Sequence, residues 1–437
     1  MASLTYKIFI GSIVHCKKPF ELEVIKDGFL IVHGRKIIHV DNDKTRVDSV
    51  KQKFKIADSQ VIELTNTQLL IPGLIDTHIH APQYPNAGLG YDKPLLEWLD
   101  SYTYKIEQMF KDQTLSYEVF NAVVRKTLSY GTTTATYFAS LFDDSSMVLA
   151  DAAITHGQRA FIGKINMTKL APDNYVETVE QTLENTRKFV EDLTAKNIDL
   201  VQPILTPRFA LSLEMDTMQK LSEIAKEYDL NIQTHISENK DEVQIVNDTF
   251  GMNYANVYEK SGLLGPKTVL AHGVYLKDDE MKLLAKTGTS ISHCPDSNTM
   301  LQSGLCDVRR LIENGITVGL GTDVSGGPSP SIIQAMRGAI QTSIHIAQNT
   351  ENYTPLNYID AFSLATLGGA NALKLQDKIG NFEVGKEFDA LVIDADVDNS
   401  AIDFFLTCDE RELLQKFIFV GDDRNVVRVY VAGKCVK

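Results

Sequence analysis

Between residues 71 and 374 the chain alternates short apolar runs with longer stretches of helical periodicity, and this alternation leaves few folds open. Eight runs read as strands: LIPGLIDTHIH, TTTATYFAS, RAFIGKINM, LVQPILTP, NIQTHISE, TVLAHGVY, TSISHCP and TVGLGTDV. Most precede an amphipathic segment such as MDTMQKLSEIAKEY, where Met218, Leu221, Ile224 and Ala225 make one apolar face. Strands alternating with helices imply a parallel sheet. Eight such units in roughly 300 residues fit a (β/α)8 barrel of TIM type better than an open, doubly wound α/β sheet. No G-x-G-x-x-G follows an early strand, and glycine-rich phosphate loops are absent, which weakens the open-sheet alternative.

The flanks read differently. KIFIGSIVHC, GFLIVHG, KIIHV and QVIEL precede the alternation, and FDALVID and NVVRVYVAGKCVK follow it. Both sets are short strands bounded by turn signals, so a small β-sandwich domain formed from both chain termini is expected. The expected division is residues 1–70 and 375–437 for that domain and 71–374 for the barrel. A chain of 437 residues exceeds the ~250–300 at which one core usually stops growing, which agrees with two units. The charged stretch from Asp41 to Lys55 is expected to be a loop.

Charge and cysteine usage narrow the partners. A formal net charge of −14 repels nucleic acid and anionic membranes, so neither is expected as a partner. No run approaches the ~18 apolar residues that a membrane-spanning helix needs. The five cysteines are scattered, with no C-x-x-C pair, and the first residues lack the pattern of a signal peptide. A cytoplasmic protein is expected.

His78 and His80 stand two apart at the end of the first barrel strand, so both side chains project to one face. That end is where barrel enzymes collect their catalytic groups. An H-x-H pair alone is often structural. Here strand five also ends in His235 and Glu238, strand six in His272, and strand eight in Asp323. Three imidazoles and a carboxylate with room for water make an open catalytic metal site. His78, His80, His235 and Asp323 are the expected ligands, with His272 beside the ion, hydrogen-bonding the attacking water. Strand four, LVQPILTPR, has no lysine to bridge a second ion, and Lys164 lies on strand three, so one metal is expected. Imidazole and carboxylate suit both Zn²⁺ and Fe²⁺.

PGLIDTHIH, THISE, AHGVYL, SHCPDSN and GLGTDVSGG, in this order and spacing, resemble the amidohydrolase superfamily. PGLIDTHIHAPQY, PLLEWLDSYTY, TPRFALS, THISENKDEV, GTDVSGGPSPS, LATLGGANAL and IGNFEVGKEFDA resemble the guanine deaminase family within it. The resemblance covers nearly the whole chain and is weakest in the first sixty residues and around Asp398 to Thr407. It departs from the usual pattern at Asp296, where the family commonly has Asn, and at Pro82, where a small residue such as Ser is usual.

The resemblance implies hydrolytic deamination of guanine to xanthine and ammonia, one Zn²⁺ per chain (Fe²⁺ being the alternative), and a homodimer. It implies that Glu238 takes the water's proton and delivers one to ring N3. Without His235 three residues before it, Glu238 would read as a carboxylate favouring a helix N-terminus. Asp323 would serve both as ligand and as second proton acceptor, and His272 would steady the developing negative charge. Gln83 can donate and accept at a lactam edge. Arg208 can donate to O6, or form a rim salt bridge. Phe209 can stack on the base, or serve as a core aromatic. His235, Glu238 and Asp323 would also touch the substrate. His293 is expected to stabilise the barrel top, with Ser297 and Asn298 orienting its loop. Gly321, Gly326 and Gly327 would permit close turns near Asp323. His15, His33, His39, His156 and His345 are expected to be structural, and the segment 104–111, YKIEQMFK, could border the pocket. The rival activities are deamination of adenosine derivatives or cytosine and dechlorination of triazines, which would share the metal ligands. A non-catalytic scaffold is disfavoured because every expected ligand is present.

Overall fold

The computed structural model describes residues 6–57 and 59–437. The first five residues of the expected amino-terminal β segment, and Asp58, lie outside the described residues. The barrel strands are Leu74–His80, Thr132–Phe138, Arg159–Gly163, Val201–Pro207, Asn231–Ile236, Thr268–His272, Ser290–His293 and Val318–Leu320, all within the runs read from the sequence. Each pairs in parallel with the next. Between the eighth strand and the first, the seam closes just beyond the last strand, where Asp323 N–H donates to His78 O at 2.9 Å and His80 N–H to Val324 O at 3.1 Å. This is a (β/α)8 barrel, drawn shut at the end that carries the histidines.

Inward residues from several strands (Ile75, Phe161, Ile204 and Val269) fill the barrel's lower interior, and Ala370, Leu373 and Ile379 plug it from below. The outer helices begin where the sequence supplies caps. Asp112 caps Gln113–Ser129, Thr178 and Gln181 form a capping box on Val179–Ala195, and Asn239 with Glu242 does the same for Lys240–Phe250. Met215–Glu227 buries Met218, Leu221, Ile224 and Ala225, the face read from its spacing.

The terminal segments build one eight-stranded hydrogen-bonded sheet. The carboxy-terminal strand Ala390–Asp394 lies antiparallel to Gln68–Pro72, which pairs with the long amino-terminal strand Tyr6–Lys18. Alternation sorts the residues. Leu69, Ile71, Leu391, Ile393, Val429 and Val431 pack toward the barrel helices, while Leu70, Ala390, Val392 and Tyr430 face a second core with Phe9, Ile13 and Phe388. Three strand spacings of ~4.8 Å separate the strands of Phe9 and Tyr430, yet their rings lie 5.2 Å apart. The sheet therefore curls on itself, and the two layers expected of a sandwich come from one continuous sheet.

The expected loop from Asp41 to Lys55 is a correction. Asp41 ends a strand, and a 3₁₀ turn, Lys44–Arg46, leads into a helix, Val47–Lys53. Val50 of that helix is buried against Ile8, Phe29, Ile31 and Ile56. Among the described residues, no helix is long and apolar enough to cross a membrane.

Candidate active site

At the carboxy-terminal mouth of the barrel, ligand atoms of His78, His80, His235 and Asp323 all lie within 4.8 Å of one another. His78 Nε2 is 3.1 Å and His80 Nε2 3.4 Å from Asp323 Oδ1. His80 Nε2 and His235 Nε2 are 3.1 Å apart. His78 Nε2 and His272 Nε2 are buried yet have no hydrogen-bond partner. Four donors converging on one point, with a ring nitrogen left unpaired, fit a cation better than a hydrogen-bond network.

The rings are held from behind. Phe138, at the end of strand two, packs against the rings of His78, His80 and His235 at centroid distances of 4.8, 4.5 and 4.9 Å. His235 Nδ1–H donates to Arg208 O at 2.5 Å, which leaves Nε2 bare for a metal. The buried carboxylate of Asp76 accepts from the N–H groups of His78 and Thr322, both at 3.1 Å, and from Thr322 Oγ1 at 2.6 Å. It thereby ties strand one to the segment carrying Asp323. Burial pushes Asp76 up to about 7, against those hydrogen bonds. His272 and Asp323 take positive φ angles of 78° and 46°, backbone strain of the kind that collects at functional sites.

Electrostatics prepares these groups for a metal. Burial pushes His80 and His235 well below the ordinary histidine range and lowers His78, which favours the uncharged form that can bind a metal. For Asp323, burial opposes ionisation but is outweighed by the facing histidines, chiefly His78, and the carboxyl is held below its usual range. Glu238 goes the other way. Burial raises it well above the ordinary glutamate range, and the charges of Asp323 and Glu242 add to the rise.

His272 Nδ1–H donates to Asn298 Oδ1 at 2.8 Å, and its Nε2 lies 3.4 Å from Glu238 Oε2 and 3.8 Å from Asp323 Oδ2. The Asn298 side chain thus orients a site histidine, while its Nδ2 and the Ser297 hydroxyl, expected to orient the loop, have no hydrogen-bond partner among the described residues. Ser303 Oγ donates to Glu238 Oε1 at 3.3 Å. Glu242, one turn on, accepts from Glu238 N–H at 3.1 Å and from the Tyr254 hydroxyl at 2.7 Å. Gly321, Gly326 and Gly327 have no positive φ; they are needed for close approach. A Cβ on Gly327 would sit 2.0 Å from Thr322 O, and one on Gly326 2.5 Å from Ser297 Oγ. His293 is buried and neutral, pushed down to about 3 by burial, and stands apart from the four-residue cluster.

One pocket is lined by His80, Gln83, Arg208, Phe209, His235, Glu238, His272 and Asp323. Gln83 Nε2 donates to Glu107 Oε1 at 2.8 Å, and its Oε1 accepts from Ser325 N–H at 3.1 Å. Arg208 forms a salt bridge, though inside the pocket wall and not at its rim, with both terminal nitrogens on Glu107. Phe209 is half-buried. It lines the pocket and packs on the main core, so the two alternatives for it are not exclusive. Sequence reasoning named the segment 104–111 without singling out Glu107, which bonds to the pocket residues Gln83 and Arg208, and it missed Phe138, Asp76 and the apolar wall of Leu95, Trp98, Leu99 and Leu301. Spacing offered a signal for Glu107, which shares a helical stripe with buried Thr103 and Phe110.

Comparison with known proteins agrees with this geometry. The amidohydrolase family matches residues 69–436. The chain is 43% identical over 438 residues to a guanine deaminase of Mus musculus, covering 98% of this chain and 96% of that protein. It is 42% identical over 449 residues to a guanine deaminase of Dictyostelium discoideum, covering 100% and 99%. A crystal structure of guanine deaminase from C. acetobutylicum with bound guanine superposes with a TM-score of 0.91 at 33% identity, covering 99% of this chain and 100% of that one. The chain belongs to the amidohydrolase family, in its guanine deaminase branch.

Proposed function

We propose that this chain hydrolyses guanine to xanthine and ammonia. The observation that carries the reading is a proton-hungry carboxyl, Glu238, in one pocket with a three-histidine, one-aspartate cluster and the amide and guanidinium of Gln83 and Arg208. The full-length relatives named guanine deaminases, and the related structure with bound guanine, support the same substrate.

His78, His80, His235 and Asp323 would hold one divalent ion, Zn²⁺ in this reading, which would supply Lewis acidity that makes the attacking water a better acid, with a pKa of about 7. Glu238 takes the proton of the attacking water and returns it to the ring nitrogen N3 next to the carbon under attack. Asp323 accepts the second proton and passes it to the departing ammonia. His272, its Nδ1–H committed to Asn298, turns Nε2 toward the oxygen where charge develops. Gln83 and Arg208 meet the lactam edge, and Phe209 covers one face of the base. Adenine lacks the O6 acceptor and would leave buried donors unpaired, so it should be rejected strongly.

The wider reading places residues 1–70 and 375–437 in one small β domain and 71–374 in the barrel, in a cytoplasmic homodimer. Five free cysteines support a reducing compartment. Sedimentation tests the dimer, and elemental analysis tests the metal, with one zinc per chain expected. The decisive experiment assays purified protein against guanine, adenine and cytosine. Stoichiometric xanthine and ammonia from guanine are expected, and turnover confined to another amine would overturn the assignment.

A further inference from the structure

Gln83 and Arg208 leave the barrel on different strands, and no hydrogen bond joins them. Both are bonded to the carboxylate of Glu107, which comes from the helical segment Leu95–Lys111 beside the pocket. Glu107 is 2% exposed. Its Oε1 accepts from Gln83 Nε2 at 2.8 Å and Arg208 Nη2 at 3.1 Å. Its Oε2 accepts from Arg208 Nη1 at 2.5 Å and the Tyr175 hydroxyl at 2.9 Å. A carboxylate has about four acceptor sites, and the protein fills all four. Nothing remains with which Glu107 could bind a substrate itself.

From this geometry we infer that Glu107 is a positioning residue that sets the donor and acceptor pattern by which the pocket selects a lactam; the inference rests on the deaminase reading above. Two consequences of the bonding carry it. The amide of Gln83 cannot flip, because Nε2 is committed to Glu107 and Oε1 to Ser325 N–H. Its free N–H and remaining lone pair therefore face the pocket in one fixed order. The guanidinium of Arg208 is gripped at both terminal nitrogens and lies over the Tyr104 ring at 5.3 Å, so its remaining N–H groups are fixed as well. The ion pair also cancels the Arg208 charge, which suits a neutral base. An uncompensated buried guanidinium would select for anions instead.

Glu107→Gln tests the role, because the new amide must turn an N–H₂ toward one of the donors the carboxylate now receives. KM for guanine should rise about 30-fold, the usual size of losing a buried charged partner, with kcat changed far less and bound metal retained. The preference for guanine over adenine should fall with it. Tyr175→Phe removes one bond to Glu107 without touching the pocket wall, and it should raise KM by about threefold at unchanged kcat. If Glu107→Gln does not fold, Tyr175→Phe decides. Unchanged KM and unchanged guanine preference in the folded variants would overturn the inference, as would a loss confined to kcat. Wild-type protein inactive on guanine would instead overturn the deaminase reading, so the two failures are distinguishable.

Discussion

A carboxyl group that must take a proton and give it back works best when its pKa lies near the operating pH. In the reading proposed above Glu238 has that task, and burial first, then the charges of Asp323 and Glu242, raises it well above the ordinary glutamate range. Glu238→Gln keeps the shape and the bond from Ser303 but removes the exchangeable carboxyl. Its kcat should fall by about 10²- to 10⁴-fold while metal content stays unchanged. Full activity in that variant would show that the proton moves by another route. Strand-end position and residue type together made His78, His80, His235, Glu238, His272 and Asp323 legible in the sequence, and the structure gathers them at one mouth of the barrel. Glu107 was not singled out within the segment 104–111, although it bonds to both Gln83 and Arg208. Its partners Gln83, Tyr175 and Arg208 lie 24, 68 and 101 positions away, and only the folded barrel brings them together. Phe138 escaped for a related reason, since an apolar residue ending a strand has no chemistry to announce it.

At the scale of elements, periodicity carried the barrel strands and the helix Met215–Glu227, whereas charge hid the helix Val47–Lys53. Val47, Val50 and Phe54 have helical spacing there, but the lysines and aspartates around them read as loop. Charge of the opposite consequence sits where the helix Pro295–Met300 meets Ile332–Ala347. Asp296 Oδ1 lies 2.5 Å from where a Cβ on Gly338 would be, so the helices approach closely at a glycine. Burial pushes Asp296 up to about 6, against a hydrogen bond from Gln334 and the charge of Arg337. A carboxyl raised in the folded state stabilises fully below its unfolded pKa of ~3.9 and loses that contribution as pH rises through about 6. Asp296→Asn, the residue common in the family at this position, escapes that loss. It should match the wild type in stability near pH 4 and exceed it by about 2 kcal/mol at pH 8. Denaturant titrations at the two pH values check this, and an offset independent of pH would contradict it.

For the whole molecule, the open question in the sequence was how a sheet made from both ends of the chain holds to the barrel. The alternation of apolar residues revealed the strands but not the latch. Arg159 begins the third barrel strand and is buried. Its Nη2 donates to Glu387 Oε2 at 2.7 Å and its Nε to Asp389 Oδ2 at 3.1 Å, both on the segment entering the carboxy-terminal strand. Asp389 also accepts from Ala432 N–H at 2.7 Å, so one carboxylate joins the barrel to two segments of the sheet. For Glu387, burial opposes ionisation, but Arg159 and Arg35 outweigh it and the carboxyl is held below its usual range. Its contribution is therefore present above the unfolded glutamate pKa and is lost as pH falls through the lower folded value. Arg159→Met leaves buried Asp389 without its cation and Glu387 with Arg35 as its near one, and should destabilise the protein by about 3–5 kcal/mol at neutral pH. The deficit should shrink toward acid pH, because protonation removes the uncompensated charge. Calorimetry decides whether the latch also makes the two units cooperative. The wild type should melt in one transition, and the variant in two, with the sheet lost first. A single transition in both would mean that the apolar contacts of Leu69, Ile71, Leu391 and Ile393 suffice to couple the units without the ion pair.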